Sequence, residues 1–287
     1  MSAGSGPRRI VCLTEETVET LYLLGEQERI VGISGFTVRP PVARREKPRV
    51  SGFTSANVEK ILALAPDLVL GFSDIQAEIA ASLVKAGLAV HVFNQRSIAG
   101  ILDMILMLGR MVAAGPNAQA LVDSYRTRLD RVRAESARLA RRPRVYFEEW
   151  DDPMISAIGW VSELIAIAGG DDCFPALAAQ GAARDRIIAD GQAVVDRAPD
   201  IIVASWCGKR FRPDRLAARP GWAAIPAVAS GQLHEIKSPL ILQPGPAALT
   251  DGLDALAGIV AGWAATPLQM ETVTGETHPA TFRRQMK

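Results

Sequence analysis

Three cysteines in 287 residues are too few for a disulfide scaffold, and no CxxC pair occurs to start a zinc site. Cys12 falls in an apolar strand and reads as a buried thiol. Cys173 and Cys207 fall in the same half of the chain, where a single bridge is conceivable. Three histidines are too few for a His-built metal centre, and no metal site is expected. Excess charge of either sign is absent: the formal net charge is +1, which offers no footprint for nucleic acid or an anionic membrane surface. The short clusters Arg44-Arg45 and Arg141-Arg142 read as solvated surface. No apolar run reaches transmembrane length, so membrane insertion is not expected. The N-terminus, MSAGSGPRR, has no apolar export segment; either the chain stays in the cytoplasm or a signal has been removed from it. A phosphate loop is missing, because Gly208-Lys209 lacks both the upstream glycine and the following Ser/Thr, and there is no GxSxG elbow.

What is present is an ordinary globular composition, 48% apolar and 22% charged, long enough for two cores. Its centre is Pro116–Arg142. Leu121, Tyr125, Leu129, Val132, Ser136 and Leu139 recur at steps of three and four, which predicts one long helix with an apolar stripe. Gly115-Pro116 suits its start and Pro143 its stop. On each side lies a similar half. Ala65-Pro66-Asp67 and Ala198-Pro199-Asp200 each follow an apolar helical turn and precede an apolar run. Each half opens on a basic residue and a short strand, at Arg9 and at Arg144, and then carries a helix ending near glycine. His91 and His234 take matching places, which suggests a structural role. Alternating strand and helix signals predict a parallel-rich α/β sheet in each half. The expected division is a flexible lead at 1–8, a lobe at 9–98, connecting helices at 99–142, a second lobe at 143–264 and a frayed tail at 265–287. Met104, Met107 and Met111 sit in an apolar helix over 97–113 and read as core.

Ligands of open α/β sheets bind at the carboxyl ends of strands. The residues predicted there are Phe53 and Phe72 in the first half and Trp150 and Trp206 in the second. Aromatic tips on two facing lobes suit a flat or bulky ligand. The loop Gly32–Pro48, with Phe36 and Arg39, is long and proline-containing, and such loops often bear function. The acidic stretch Glu148-Glu149-Trp150-Asp151-Asp152 is the best enzymatic feature, since paired carboxylates serve as acid and base. Neighbours on a strand point to opposite faces, however, so Glu148 and Glu149 cannot share one centre if the strand persists through them.

Two α/β lobes on one long helix, with VSGFTSANVEKILALAPDLVLGF at Val50–Phe72 and GISGFTVRPP at Gly32–Pro41, resemble the substrate-binding proteins of iron-siderophore and cobalamin ABC importers. The cobalamin-binding branch is most similar. The resemblance implies a class III periplasmic-binding-protein-like fold, a monomer without intrinsic cofactor or catalysis, and a periplasmic location. It places a corrinoid such as cobalamin, or another metal chelate, between the lobes. Phe36, Arg39, Phe53 and Phe72 would touch it from one side, and Glu149, Trp150, Trp206 and Gln243 from the other. Arg39 replaces an expected aromatic, which implies a ligand with a negative group. Glu78 matches a glutamate that docks such proteins on an ABC permease; the second docking position falls in the basic stretch Lys209–Arg215. The alternatives are a cytoplasmic cofactor carrier, and a hydrolase or tetrapyrrole chelatase using Glu148/Glu149.

Overall fold

Arg9 and Arg144 explain why one tripeptide occurs twice. In the computed structural model, which describes residues 6–266, the Asp67 carboxylate accepts from the backbone N–H of Arg8 (2.7 Å) and of Arg9 (3.0 Å). The Asp200 carboxylate accepts from the backbone N–H of Arg144 (2.8 Å) and from its guanidinium (3.1 and 3.2 Å). Each arginine also reaches back to the preceding helix end, Arg9 to the carbonyls of Leu64 and Ala65 and Arg144 to that of Arg197. Ala65 and Ala198 both hold φ at 44°, the left-handed turn that ends a helix. Proline then bars re-entry into the helix, and aspartate pins the neighbouring strand. Alanine in this conformation costs about 1–2 kcal/mol, while glycine would forfeit about 0.4–1 kcal/mol through the unfolded chain. Ala198→Gly is therefore expected to stabilise by up to ~1 kcal/mol, a rise in Tm of ~2–4 °C by calorimetry; a lower Tm would show that the corner carries no strain.

These corners set two sheets. The first lobe has five parallel strands, β1 (Ile10–Cys12), β2 (Ile30–Ser34), β3 (Arg49–Ser51), β4 (Leu68–Phe72) and β5 (Val90–Phe93), in the order β3-β2-β1-β4-β5. The second has β6 (Arg144–Asp151), β7 (Met154–Ser156), β8 (Asp171–Asp172), β9 (Ile201–Ala204) and β10 (Leu233–Glu235). Strands β10-β9-β6 run parallel; β8 pairs with the start of β6 and β7 runs antiparallel against its end. The central strands β1 and β9 are wholly buried, as parallel sheets covered on both faces require. His91 and His234 lie on the edge strands β5 and β10, and burial lowers both pKa values.

The long helix runs Gly115–Ser136 and stops short of the expected Arg142. Its end is set by tertiary contact. The Ser136 hydroxyl donates to the Ile167 carbonyl at 2.8 Å, and Gly169 packs so closely on Ser136 that a Cβ there would lie 3.0 Å from it. The chain then turns. Arg141 donates to the carbonyls of Trp263 and Thr266, and Arg142 to Asp171 and the Gly170 carbonyl, so this pair struts the second lobe instead of decorating a helix. Tyr125, Leu129 and Val132 are buried as expected; Val122 takes the fully buried place read for Leu121, which is half-buried. One apolar cluster runs from Ile10 and Ile105 through this helix face to Phe147 and Leu253, so the helix is fused to both lobes. Met104 is in that core, whereas Met107 is exposed.

Three other differences bear on the site. β6 does not end at Phe147 but continues to Asp151 and folds back as β7 through Asp152-Pro153, so FEEWDDP is an extended strand and its turn. Residues 6–8 of the expected lead are held, Pro7 by Arg29 and Arg8 by Asp67; residues 1–5 lie outside the described residues. The last helix opens with a π segment, Ala248–Gly252, and continues over Leu253–Ala265; the expected tail beyond Thr266 lies outside the described residues. No described helix is long and apolar enough to cross a membrane.

Candidate functional site

The first lobe reverses its winding between β1 and β4, and the crevice at that switch is where open α/β sheets take ligands. Gln76, absent from the sequence-derived site, organises it. Fully buried, its Oε1 accepts from the Phe72 N–H and its Nε2 donates to the Phe53 carbonyl, both at 3.0 Å. One amide thus fixes the tips of β3 and β4. Gly71 makes room for it, because a Cβ there would stand 2.9 Å from Gln76 Oε1. Ser73 follows with φ at 64°, and its hydroxyl accepts from the Ile75 N–H. Phe53 is half-buried, and Phe36 lies against Gly52 with 60% of its surface exposed. Phe72 is buried beneath the Arg96 guanidinium, 4.8 Å from its ring centroid. Burial lowers the Arg96 pKa, and Arg96 lies within charge range of Asp74, Arg186 and Glu149. It thereby links the Phe72 side of the seam to the Glu149 side.

On the second lobe, alternation along β6 separates the two glutamates. Glu148 is wholly buried and accepts from Arg219 (2.5 and 3.0 Å), Tyr146 Oη (2.9 Å) and Trp206 Nε1 (2.9 Å). Burial raises its pKa against the pull of Arg219. Glu149 turns the other way and accepts a fork from Arg186, at 2.6 and 3.2 Å. Asp151 pairs with Lys209 at 2.8 Å, and Lys209 Nζ stands 3.9 Å above the Trp150 ring. Trp150 is therefore a half-buried rim residue. Trp206 sits deeper than a loop tip: 4% exposed, edge-on to Phe211 and tied to Glu148, it belongs to the second lobe's core.

The two lobes meet across the start of the helix Glu15–Leu23. Thr14 occupies the N-cap position but makes no cap bond; its hydroxyl donates to Glu16 Oε1 at 2.6 Å. Glu19 accepts from Arg39 Nε (2.9 Å) and, across the seam, from the Ala247 N–H (3.1 Å). Arg39 Nη1 also pairs with Asp251 at 2.8 Å. Arg39 thus clamps one lobe to the other, and its commitment to two carboxylates removes the reason for inferring a negative ligand group from it. Gly245 backs directly onto Glu16, since a Cβ there would lie 2.5 Å from that of Glu16. Burial pushes the Glu15 carboxyl up to about 8 and that of Glu16 up to about 7. An acidic pair in a first helical turn normally reads as surface, so the sequence signal was only its place directly after the central strand.

Gln243 is half-buried on the loop leading to Gly245. Glu78 is exposed on the helix Ala77–Lys85. All three cysteines are free, so the Cys173–Cys207 bridge does not form. Among the described residues no group of three His, Cys, Asp or Glu side chains is placed to hold a metal ion.

A family model described as periplasmic binding protein matches residues 10–240. An uncharacterised ABC transporter substrate-binding lipoprotein from Bacillus subtilis is 26% identical over 88% of this chain and 79% of its own length. A cobalamin-binding protein from Halobacterium salinarum is 26% identical over 86% of this chain and 68% of its own length. The periplasmic heme-binding protein RhuT from Roseiflexus, solved in its apo form, superposes with a TM-score of 0.76, covering 90% of this chain and all of its own at 22% identity. At that identity the structural likeness speaks for the fold alone.

Proposed function

This chain belongs to the periplasmic binding protein family, and on that premise we propose that it captures a corrinoid, or a closely related bulky metal chelate, between its lobes for ABC-type uptake. The observation that carries the reading is the Phe36 ring, 60% exposed at the lobe mouth beside the half-buried Phe53. Aromatic surface at a cleft mouth suits a ligand contact, because rings give wide contact at small entropy cost. Trp150 with Lys209 forms the opposing rim. The cobalamin-binding relative supports a corrinoid as the ligand. Periplasmic residence and docking through Glu78 on a permease are part of this reading, and the family match supports them. Catalysis by Glu148/Glu149 draws no support from the site, because both carboxylates are forked to arginines and point to different faces.

The test is a tryptophan-fluorescence titration, corrected for inner-filter absorbance, with cobalamin, haem and a ferric siderophore in parallel. Saturable one-to-one quenching by cobalamin is expected, and its absence would sink the corrinoid. Phe36→Ala should weaken that binding about tenfold, equivalent to ~1.4 kcal/mol, and leave thermal unfolding unchanged. Undiminished affinity would remove the ring from the site.

A further inference from the structure

At the carboxyl end of β1, three carboxylate oxygens have no hydrogen-bond partner among the described residues: both of Glu15, and Oε2 of Glu16. The two side chains belong to residues only 3% and 1% exposed. Two further buried oxygens on segments that pack here are also unpartnered, the Thr37 hydroxyl, able to donate or accept, and the Gln95 carbonyl oxygen. Thr37 precedes Val38, whose backbone amide eases the charge on Glu15. Gln95 donates its Nε2 to the Pro244 carbonyl at 2.9 Å, and the next residue, Gly245, is the one that backs onto Glu16. Arg39, the guanidinium that faces Glu15, is already committed to Glu19 and Asp251.

Once both carboxyls are ionised the place is rich in acceptors and poor in donors, at the crevice where a doubly wound sheet takes its ligand. Each buried acceptor without a partner is a standing penalty that a donor relieves. A primary amide brings two N–H donors and no charge. A carboxylate brings only acceptors and a like charge, which buried surroundings make more costly. We infer that Glu15 and Glu16 form a donor-seeking floor beneath the Pro244–Gly245 loop, which selects ligands rimmed with amides or amines and rejects ligands rimmed with carboxylates. This inference rests on the proposed ligand class and narrows it to the amidated members.

The probes are dicyanocobinamide, whose corrin rim is amidated, and dicyanocobyrinic acid, whose rim carries carboxylates. Both are titrated by tryptophan quenching at pH 8.5, above the range to which burial lifts the two carboxyls. The wild-type protein is expected to hold the amide at least ~100-fold tighter, since two or three lost hydrogen bonds to buried acceptors cost that much. The double variant Glu15→Gln/Glu16→Gln, checked for its fold by circular dichroism, should shrink the preference below ~10-fold. Equal binding by the wild-type protein, or an undiminished preference in the folded variant, overturns the inference. Should the double variant not fold, the single Glu15→Gln change must still narrow the gap. If neither corrin binds, the proposed function fails by itself, and the floor is tested with ferric haem against haem whose propionates are converted to primary amides. Preference for the diamide sustains it; preference for the diacid, or no binding of any probe, overturns it.

Discussion

Replacing Arg219 by methionine is expected to cost about 3–5 kcal/mol of stability at pH 7, the usual penalty for stranding one charge of a buried pair. Glu148 has no access to solvent and takes a forked pair of bonds from Arg219, at 2.5 and 3.0 Å. Methionine keeps an apolar stem of similar length and removes the guanidinium, with its charge, its donors and its place 4.5 Å over the Trp222 ring. Tyr146 Oη and Trp206 Nε1 remain as neutral donors, too few to replace a guanidinium. A second substitution, Glu148→Gln, should restore much of the loss, because the stranded charge is then gone; the double-mutant cycle should show a coupling of at least ~2 kcal/mol. The loss should also shrink on acidification. Burial already holds the Glu148 pKa up, removal of Arg219 raises it further, and a protonated Glu148 needs no counter-charge. Urea unfolding at pH 7 and at pH 5 measures both effects. A loss under ~1 kcal/mol would show that Glu148 does not depend on its arginine. The pair also has a positional role: it anchors Trp206 and the β6 strand whose next residue, Glu149, faces the seam.

The features legible beforehand were those whose cause is local. A left-handed alanine, a proline and a strand-pinning aspartate sit within three residues, and the repeat of that unit exposed the two lobes. Gly115-Pro116 placed the start of the long helix in the same way. Its end was not legible, because Ser136 is held by Ile167 and Gly169, some thirty residues on. The pairing of the acidic FEEWDDP stretch was not legible for a similar reason. Glu148, Glu149 and Asp151 find their cations at Arg219, Arg186 and Lys209, each far along the chain, and only tertiary structure brings them together. Of the aromatics expected at strand ends, Phe53 and Trp150 are half-buried there, whereas Phe72 and Trp206 are buried; Gln76, which holds Phe53 and Phe72 in place, carries no local mark at all. Arg39 was legible as unusual but not as an interlobe clamp, since its partners Glu19 and Asp251 flank it from opposite ends of the sequence.

The buried acid at the lobe seam makes a second large effect. Stability should fall as pH rises from about 4.5 to about 8. Burial lifts Glu15 from 4.5 to about 8 and Glu16 from 4.5 to about 7. Below pH 4.5 both are protonated whether the chain is folded or unfolded, and the seam keeps its full contribution. Between those limits the unfolded chain ionises first, so it binds fewer protons than the folded one, and unfolding becomes easier with each step upward. Above about 8 the loss is complete. A tenfold change in proton affinity is about 1.4 kcal/mol, so the two full shifts bound the cost at about 8 kcal/mol, and the relaxation and water entry usual at buried charges bring it to on the order of 4 kcal/mol. For a chain of this size that is a drop in Tm of about 10 °C. Glu19, Glu148 and Asp172, also raised by burial, act in the same direction. Asp214, held low by its hydrogen bond from Arg212, acts in the opposite direction but is exposed. Glutamine at positions 15 and 16 keeps the shape without the charge. The double variant should therefore match the wild-type protein near pH 4.5, exceed it by several degrees at pH 8, and trace a flatter curve between. A wild-type Tm that holds steady or climbs over this range would mean that the two carboxyls are ionised in the folded protein at neutral pH. The seam would then have to supply them with donors that Val38, Thr14 and Arg39 do not provide. Because the Pro244–Gly245 loop rests on Glu16, the same titration also weakens the contact between lobes, and the protein should unfold from this seam before either sheet gives way.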